Sequence, residues 1–168
     1  MTDTGTSGYA FPSVGCIPHD FVASHTGIEL FDMMIAGKLP APPIARTMNM
    51  TLAEASKGRA VFRGIPGHQH YNPLGSVHGG WAATILDSAL GCAVHTMLPA
   101  GTAYATIEFK VNLVRPMFEN TGEVVCTGTV IHFGRTIATS EAWLEAADGK
   151  LIAHGTETCA IFPMPPER

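Results

Sequence analysis

The stretch Asn72-Pro73-Leu74-Gly75-Ser76-Val77-His78-Gly79-Gly80-Trp81-Ala82-Ala83-Thr84-Ile85-Leu86-Asp87-Ser88-Ala89-Leu90-Gly91-Cys92-Ala93-Val94-His95 decides the fold. Its first part is turn chemistry, because Asn72-Pro73 and Gly75 do not continue regular structure. From Gly79 the residues are apolar almost all round a helical wheel, and Pro99 and Gly101 mark the end. The pattern predicts a helix from about Gly79 to Met97, roughly 28 Å long at 1.5 Å per residue. One carboxylate, Asp87, lies inside it with no basic residue within a turn. A buried acid costs free energy unless something pairs with it or uses it.

At 100° per residue, Thr84, Asp87, Ser88, Gly91 and His95 share one stripe about 100° wide. The rest, including Trp81, Ile85, Leu86, Ala89 and Leu90, is apolar. Such a helix is nearly enclosed, so a sheet must wrap it and the stripe must face something else. A second copy of the stripe, in a homodimer, is an economical candidate. Asp87 reads in two ways. It is a structural acid held by hydroxyls or backbone amides, or a general base or nucleophile whose pKa burial pushes upward. The helix start, His78-Gly79-Gly80, bears on the choice. Two glycines let a ligand approach the backbone, and first-turn N–H groups have no intrahelical partner. That positive end of the helix can hold a developing oxyanion. Taken alone, such a glycine pair is more often a tight turn than an oxyanion hole.

The chain has 168 residues, 46% hydrophobic and 14% charged, which suits one domain with a packed core. A net charge of -4 gives no basic field for nucleic acid, so an anionic ligand would have to meet local Lys and Arg. Cys16, Cys92, Cys126 and Cys159 form no CxxC pair and read as free buried thiols. Residues Met1 to His19 lack the pattern of a signal peptide, and no apolar run reaches membrane-spanning length. A reducing, cytoplasmic setting is expected.

Residues 1–43 read as a tail followed by one short helix. Ser24 is its expected cap; Ile28, Leu30, Phe31, Met34 and Ile35 form its apolar face, and Gly37 with Pro40, Pro42 and Pro43 stops it. It is expected to pack on the edge of a main domain over 44–162, with 163–168 as a Pro-rich tail. Strands are expected from Met48 and over Arg59–Ile65, before the long helix. Four more follow it, over Ala103–Arg115, Gly122–Phe133, Arg135–Ala147 and Lys150–Phe162. Tight turns, Asp148-Gly149 above all, make these four antiparallel neighbours. In the first of them Ala105, Ile107, Phe109, Val111 and Leu113 line one face, and Tyr104, Thr106, Glu108, Lys110 and Asn112 the other. One apolar helix on a largely antiparallel sheet is an α+β layer.

The run Asn72-x-x-Gly75-x-x-His78-Gly79-Gly80, with Asp87 nine positions after the His, resembles the hotdog-fold acyl-CoA thioesterases of the phenylacetate-degradation (PaaI) type. Thr106-Ile107-Glu108-Phe109-Lys110-Val111-Asn112-Leu113-Val114-Arg115-Pro116, the Gly134-Arg135 turn and Asp148-Gly149-Lys150-Leu151 extend the likeness from about Ile44 to Ile161. The resemblance implies a long central helix wrapped by an antiparallel sheet. It implies a homodimer, often paired again as a dimer of dimers, with sites between protomers. It also implies hydrolysis of an acyl- or aryl-CoA to free acid and CoA. On that likeness Gly79 donates its N–H to the thioester oxygen and Asn72 holds the same end of the substrate. His78 orients the Asn loop. Asp87, from the partner chain, activates water or attacks directly, and Thr106 assists the water.

Thioester hydrolysis needs oxyanion stabilisation and a base or nucleophile, and a thiolate leaves without help from a metal. No metal or cofactor is expected, because CoA is part of the substrate; a metal on His68, His70 and His78 is disfavoured by their spacing. No G-x-S-x-G elbow is present. Gly80, Arg135, Lys110 and Arg115 are the candidate substrate contacts, the basic three for CoA phosphates. The alternatives are a non-catalytic acyl-CoA binding or regulatory protein on the same fold, and hydration of an enoyl thioester. Neither a nucleic-acid nor a membrane partner is expected.

Overall fold

The computed structural model describes residues 8–167. The expected tails therefore fall partly, at 1–7 and 168, outside the described residues. Three short helices come first: α1 (His19–Ala23), α2 (Gly27–Ile35) and α3 (Pro43–Met48). They are followed by β1 (Met50–Ser56), β2 (Arg59–Gly64), the long α4 (Gly79–His95), β3 (Thr102–Leu113), β4 (Val124–Phe133), β5 (Ile137–Ala146) and β6 (Leu151–Pro163). All strands join one antiparallel sheet in the order β1-β2-β4-β5-β6-β3. The sheet curls round α4, whose Ile85, Leu86, Ala89, Leu90, Ala93 and Val94 are fully buried. No helix among the described residues is long and apolar enough to cross a membrane.

Close approach of sheet and helix is set by glycine. A Cβ at Gly128 of β4 would overlap the Ala89 carbonyl of α4. At Gly91 of α4 a Cβ would lie 2.8 Å from the Tyr104 hydroxyl of β3. Gly91 is thus buried under Tyr104 instead of standing in the exposed stripe, which Cys92 and Ala83 join.

Four expectations are corrected. The helix cap is Thr26, not Ser24: its hydroxyl accepts from the Glu29 N–H and the Glu29 carboxylate accepts from the Thr26 N–H, a full capping box. Pro43 does not block helix formation; it starts α3, because the first helical position needs no N–H. The preceding segment is not a loose tail. Tyr9 donates to Asn49 Oδ1 and Glu123 Oε1, and residues 13–15 pair with Ala41. The last four strands are not consecutive neighbours either. Residues 114–123 carry the chain past the sheet, so β3 pairs with β6 and lies on the outer edge while β4 pairs with β2. Of the cysteines, Cys126 and Cys159 are buried, Cys92 is half-buried and Cys16 is exposed.

A bulge also changes the reading of β3. Thr106 pairs with Cys159 and Glu108 with Thr158, so Ile107 is the extra residue. It reverses the alternation: Tyr104 and Thr106 share the helix-facing side with Phe109, Val111 and Leu113.

Gly128→Ala should destabilise the protein by about 3 kcal/mol, because backbone carbonyl and Cβ cannot both occupy the site. Urea unfolding should show the midpoint fall, whereas a drop under ~0.5 kcal/mol would mean that β4 and α4 can separate freely.

Candidate active site

The loop before α4 is closed by backbone hydrogen bonds. Asn72 N–H donates to Ser76 O at 2.8 Å, Val77 N–H to Met117 O at 2.9 Å, and His78 N–H to His70 O at 2.8 Å. Asn72 Oδ1 accepts from the Leu74 and Ser76 amides at 2.9 and 3.4 Å, and Nδ2 donates to Ser76 Oγ at 3.1 Å. An amide NH2 has two hydrogens, so one donor of Asn72 remains for a ligand. His78 is the N-cap of α4, its Nδ1 accepting the Gly80 N–H at 2.8 Å. That bond occupies the Gly80 amide. The Gly79 N–H, at the first helical position, has no acceptor inside the helix.

Asn72, Gly79 and Arg115 meet around one cavity of about 190 Å³. A Cβ on Gly79 would sit 2.6 Å from Leu113 Cδ1, so only glycine leaves room there without moving that side chain. Arg115 Nε donates to Leu151 O at 3.0 Å. Arg135 and Lys110 lie elsewhere. Arg135 is in the β4–β5 turn, near the end of α4 where Val94 and Leu98 pack with Ala138 and Ile161. Lys110 follows the bulge and faces away from α4, opposite Thr156.

Asp87 is half-buried on the open stripe between Thr84 and Ser88. Those hydroxyls do not hold it. Thr84 Oγ1 donates to Gly80 O at 2.8 Å and Ser88 Oγ to Thr84 O at 2.9 Å. Among the described residues no hydrogen bond to Asp87 is formed, and desolvation raises its pKa. The far end of the stripe is not open: His95 stacks edge-on against Phe31 of α2, with ring centres 5.0 Å apart.

A second acid, missed in the sequence, stands beside the first. Glu157 of β6 is 1% exposed. Its Oε1 accepts from Thr106 Oγ1 and from Cys159 Sγ, both at 2.9 Å, while its Oε2 has no partner among the described residues. Burial raises its pKa most, and the charges of Asp87 and Glu108 add to this against the two hydrogen bonds. The orphaned Ser140 hydroxyl is its cross-strand neighbour on β5. The signal was present: the inward phase of β6 reads Ala153, Gly155, Glu157, Cys159 and Ile161, with one charge among small and apolar residues.

Gly79 and Asp87 of one chain are separated by eight residues, or about 12 Å along the axis at 1.5 Å each. One thioester cannot touch both. Within one chain the pocket at Asn72 and Gly79 and the cluster of Asp87, Thr106 and Glu157 are thus separate.

A family model described as Thioesterase superfamily matches residues 74–153. Acyl-coenzyme A thioesterase 13 of Homo sapiens is 31% identical over 111 residues, covering 65% of this chain and 77% of that protein. Esterase-named relatives from Caenorhabditis elegans and Halobacterium salinarum are 32% and 35% identical, and the matches span 66% and 64% of their own length. A phenylacetic acid degradation-related protein from Ralstonia eutropha superposes with a TM-score of 0.70 at 26% identity, over 77% of this chain and 98% of that one. The PaaI protein of E. coli has the same fold, with a TM-score of 0.70 at 18% identity over 82% and 95% of the two chains. The helix wrapped by one antiparallel sheet is the hotdog fold of these proteins, and the chain belongs to the thioesterase superfamily.

Proposed function

We propose that the protein hydrolyses an acyl- or aryl-CoA thioester to free acid and CoA, in a homodimer whose two sites each join the amide pocket of one protomer to the acid flank of its partner. The observation that carries this reading is the ~12 Å rise between Gly79 and Asp87, which leaves each half-site short of the other's chemistry. The edge strand supports the dimer. β3 has 12 residues with one side unpaired, and Ile107, Phe109 and Leu113 on it are 58%, 39% and 60% exposed. Such an edge pairs with another chain unless blocked, and a second copy of this strand is its self-complementary partner. A dimer of dimers is compatible with this arrangement.

In this reading the thioester oxygen accepts from the Gly79 N–H and the spare Asn72 Nδ2 hydrogen, at the positive end of α4. His78 and Gly80 hold that loop. Asp87 of the partner takes the proton from a water as the water oxygen attacks the carbonyl carbon; or its carboxylate attacks directly, and a water then hydrolyses the resulting acyl–Asp87 anhydride to free acid and restores the carboxylate. Collapse breaks the C–S bond and releases the CoA thiolate. Thr106 donates its hydroxyl hydrogen bond to Glu157 Oε1, so its oxygen is free to accept a hydrogen bond from the attacking water and aim it. Arg115, which borders the amide pocket, is the first choice for a CoA phosphate, and Arg135 and Lys110 are the more distant ones. No metal or cofactor enters, and the setting is a reducing, cytoplasmic one.

Asp87→Asn should lower kcat for acyl-CoA hydrolysis by a factor on the order of 10²–10⁴ while the fold and oligomer persist. Retained turnover would remove Asp87 from the mechanism. Because the base must be ionised and burial raises its pKa, kcat/KM should climb with pH through a midpoint above the ordinary aspartate range. The Asn variant should lose that limb.

Glu157 sets a separate dependence. Its folded pKa is raised, so its contribution to stability is full at low pH and is lost as pH climbs through the folded value. Thermal melts of the wild type should therefore show a decline in Tm above the ordinary glutamate range. Glu157→Gln should flatten it, and an unchanged decline would assign the effect to another group.

A further inference from the structure

A second cavity, of about 190 Å³, opens on the flank of α4 one residue beyond Asp87. Ser88 and Cys92 form its floor, and Phe31, Met34, Met50 and Phe62 are among its walls. The walls are mostly apolar, with Thr51 and Ser88 as the polar side chains, and the Ser88 hydroxyl is already bonded to Thr84 O. A lining of this kind suits an apolar ligand. Ser88, which lines it, is the residue next to Asp87 on α4, so the cavity begins beside the acid.

Phe31 and Met34 come from α2, outside the matched residues 74–153. This wall is fixed. The capping box starts α2, and the Gly27 N–H donates to Leu98 O at 3.1 Å. A Cβ at Gly27 would overlap the His95 carbonyl, so α2 sits directly on the end of α4. A void of roughly 150 Å³ holds a benzene ring. The space here holds one ring with a carbon or two to spare, or a short alkyl chain.

We propose that this cavity is the acyl-selecting pocket, that it takes an apolar straight or aromatic acyl group of about six to eight carbons, and that the N-terminal helices set that limit. The proposal rests on the thioesterase reading. The thioester carbon lies over Asp87 and the acyl group turns past Ser88 beneath α2. Acetyl leaves the pocket empty, and palmitoyl overruns it.

The test uses the full-length protein and two readouts. In the first, kcat/KM is measured for acetyl-, hexanoyl-, benzoyl- and palmitoyl-CoA. Burying four more methylenes should favour hexanoyl over acetyl by about 100-fold. Ala45→Leu, which fills the cavity from α3, should cut hexanoyl and benzoyl turnover at least ~10-fold and leave acetyl within ~2-fold. Met34→Ala, which enlarges it, should shift the optimum to longer chains, a gain that misfolding cannot produce. In the second, calorimetry follows S-hexyl-CoA, a thioether that cannot be hydrolysed. It should bind the wild type at least ~10-fold more tightly than CoA does, and Ala45→Leu should remove the difference. If S-hexyl-CoA binds no better than CoA, or if Ala45→Leu lowers every chain length equally, the pocket is elsewhere. If S-hexyl-CoA behaves as expected but no thioester is cleaved, the pocket stands and the hydrolytic reading fails.

Discussion

The structure depends on one constraint: α4 must be buried on nearly every side and still carry a carboxylate. Small residues make the enclosure possible. Gly128 and Gly91 remove the Cβ atoms that would hold β4 and β3 away, and Ala82, Ala89 and Ala93 keep the helix narrow. The sheet closes round it, and the stripe of Thr84, Asp87 and Ser88 is the face left over. Desolvation at that face raises the Asp87 pKa without any counter-ion to lower it. Threonine and serine on the same stripe turn their hydroxyls back to helix carbonyls and leave the acid unbonded. An acid kept free at this cost is available to a reaction.

The two acids beneath that face have different parts. Asp87 is raised by burial alone, whereas the charge of Asp87 is one of the causes that raise Glu157. Burial thus raises both carboxyls, and the charge of Asp87 adds to the rise at Glu157. Both donors to Glu157 converge on Oε1, and Oε2 has no partner among the described residues. The bulge at Ile107 makes this arrangement possible. Were Ile107 paired in regular alternation with the residues after it, Thr106 would point away from the helix and could not reach Glu157.

Local periodicity made α4, Asp87 and the hairpin at Asp148-Gly149 legible, because each depends on residues a few positions apart. The bulge was not legible, since one extra residue leaves both halves of β3 alternating normally and exchanges only their faces. Strand order was hidden for a similar reason: nothing local to Arg115-Pro116 says that the chain crosses to β2 instead of turning back. Glu157 could have been read from its place in the small, apolar phase of β6. The capping box Thr26-x-x-Glu29 was also on view, two residues from the expected cap at Ser24. What no pattern could supply is the docking of α2 across His95, which depends on Gly27 meeting a carbonyl from a helix end about seventy residues later.

A divided site is the central claim, and subunit mixing tests it most directly. Gly79→Pro removes the amide donor at a helical position that tolerates proline. His78, at φ -60° and ψ 136°, already has the backbone that precedes one, and only the Leu113 tip must yield. Gly79→Pro and Asp87→Asn should each be inactive alone. Unfolded together in equal amounts and refolded, half the dimers should be mixed, each with one intact site, returning about a quarter of wild-type activity. A mixture as inactive as its parents, with mixed dimers demonstrated, would place Gly79 and Asp87 in the same chain's site and contradict the account.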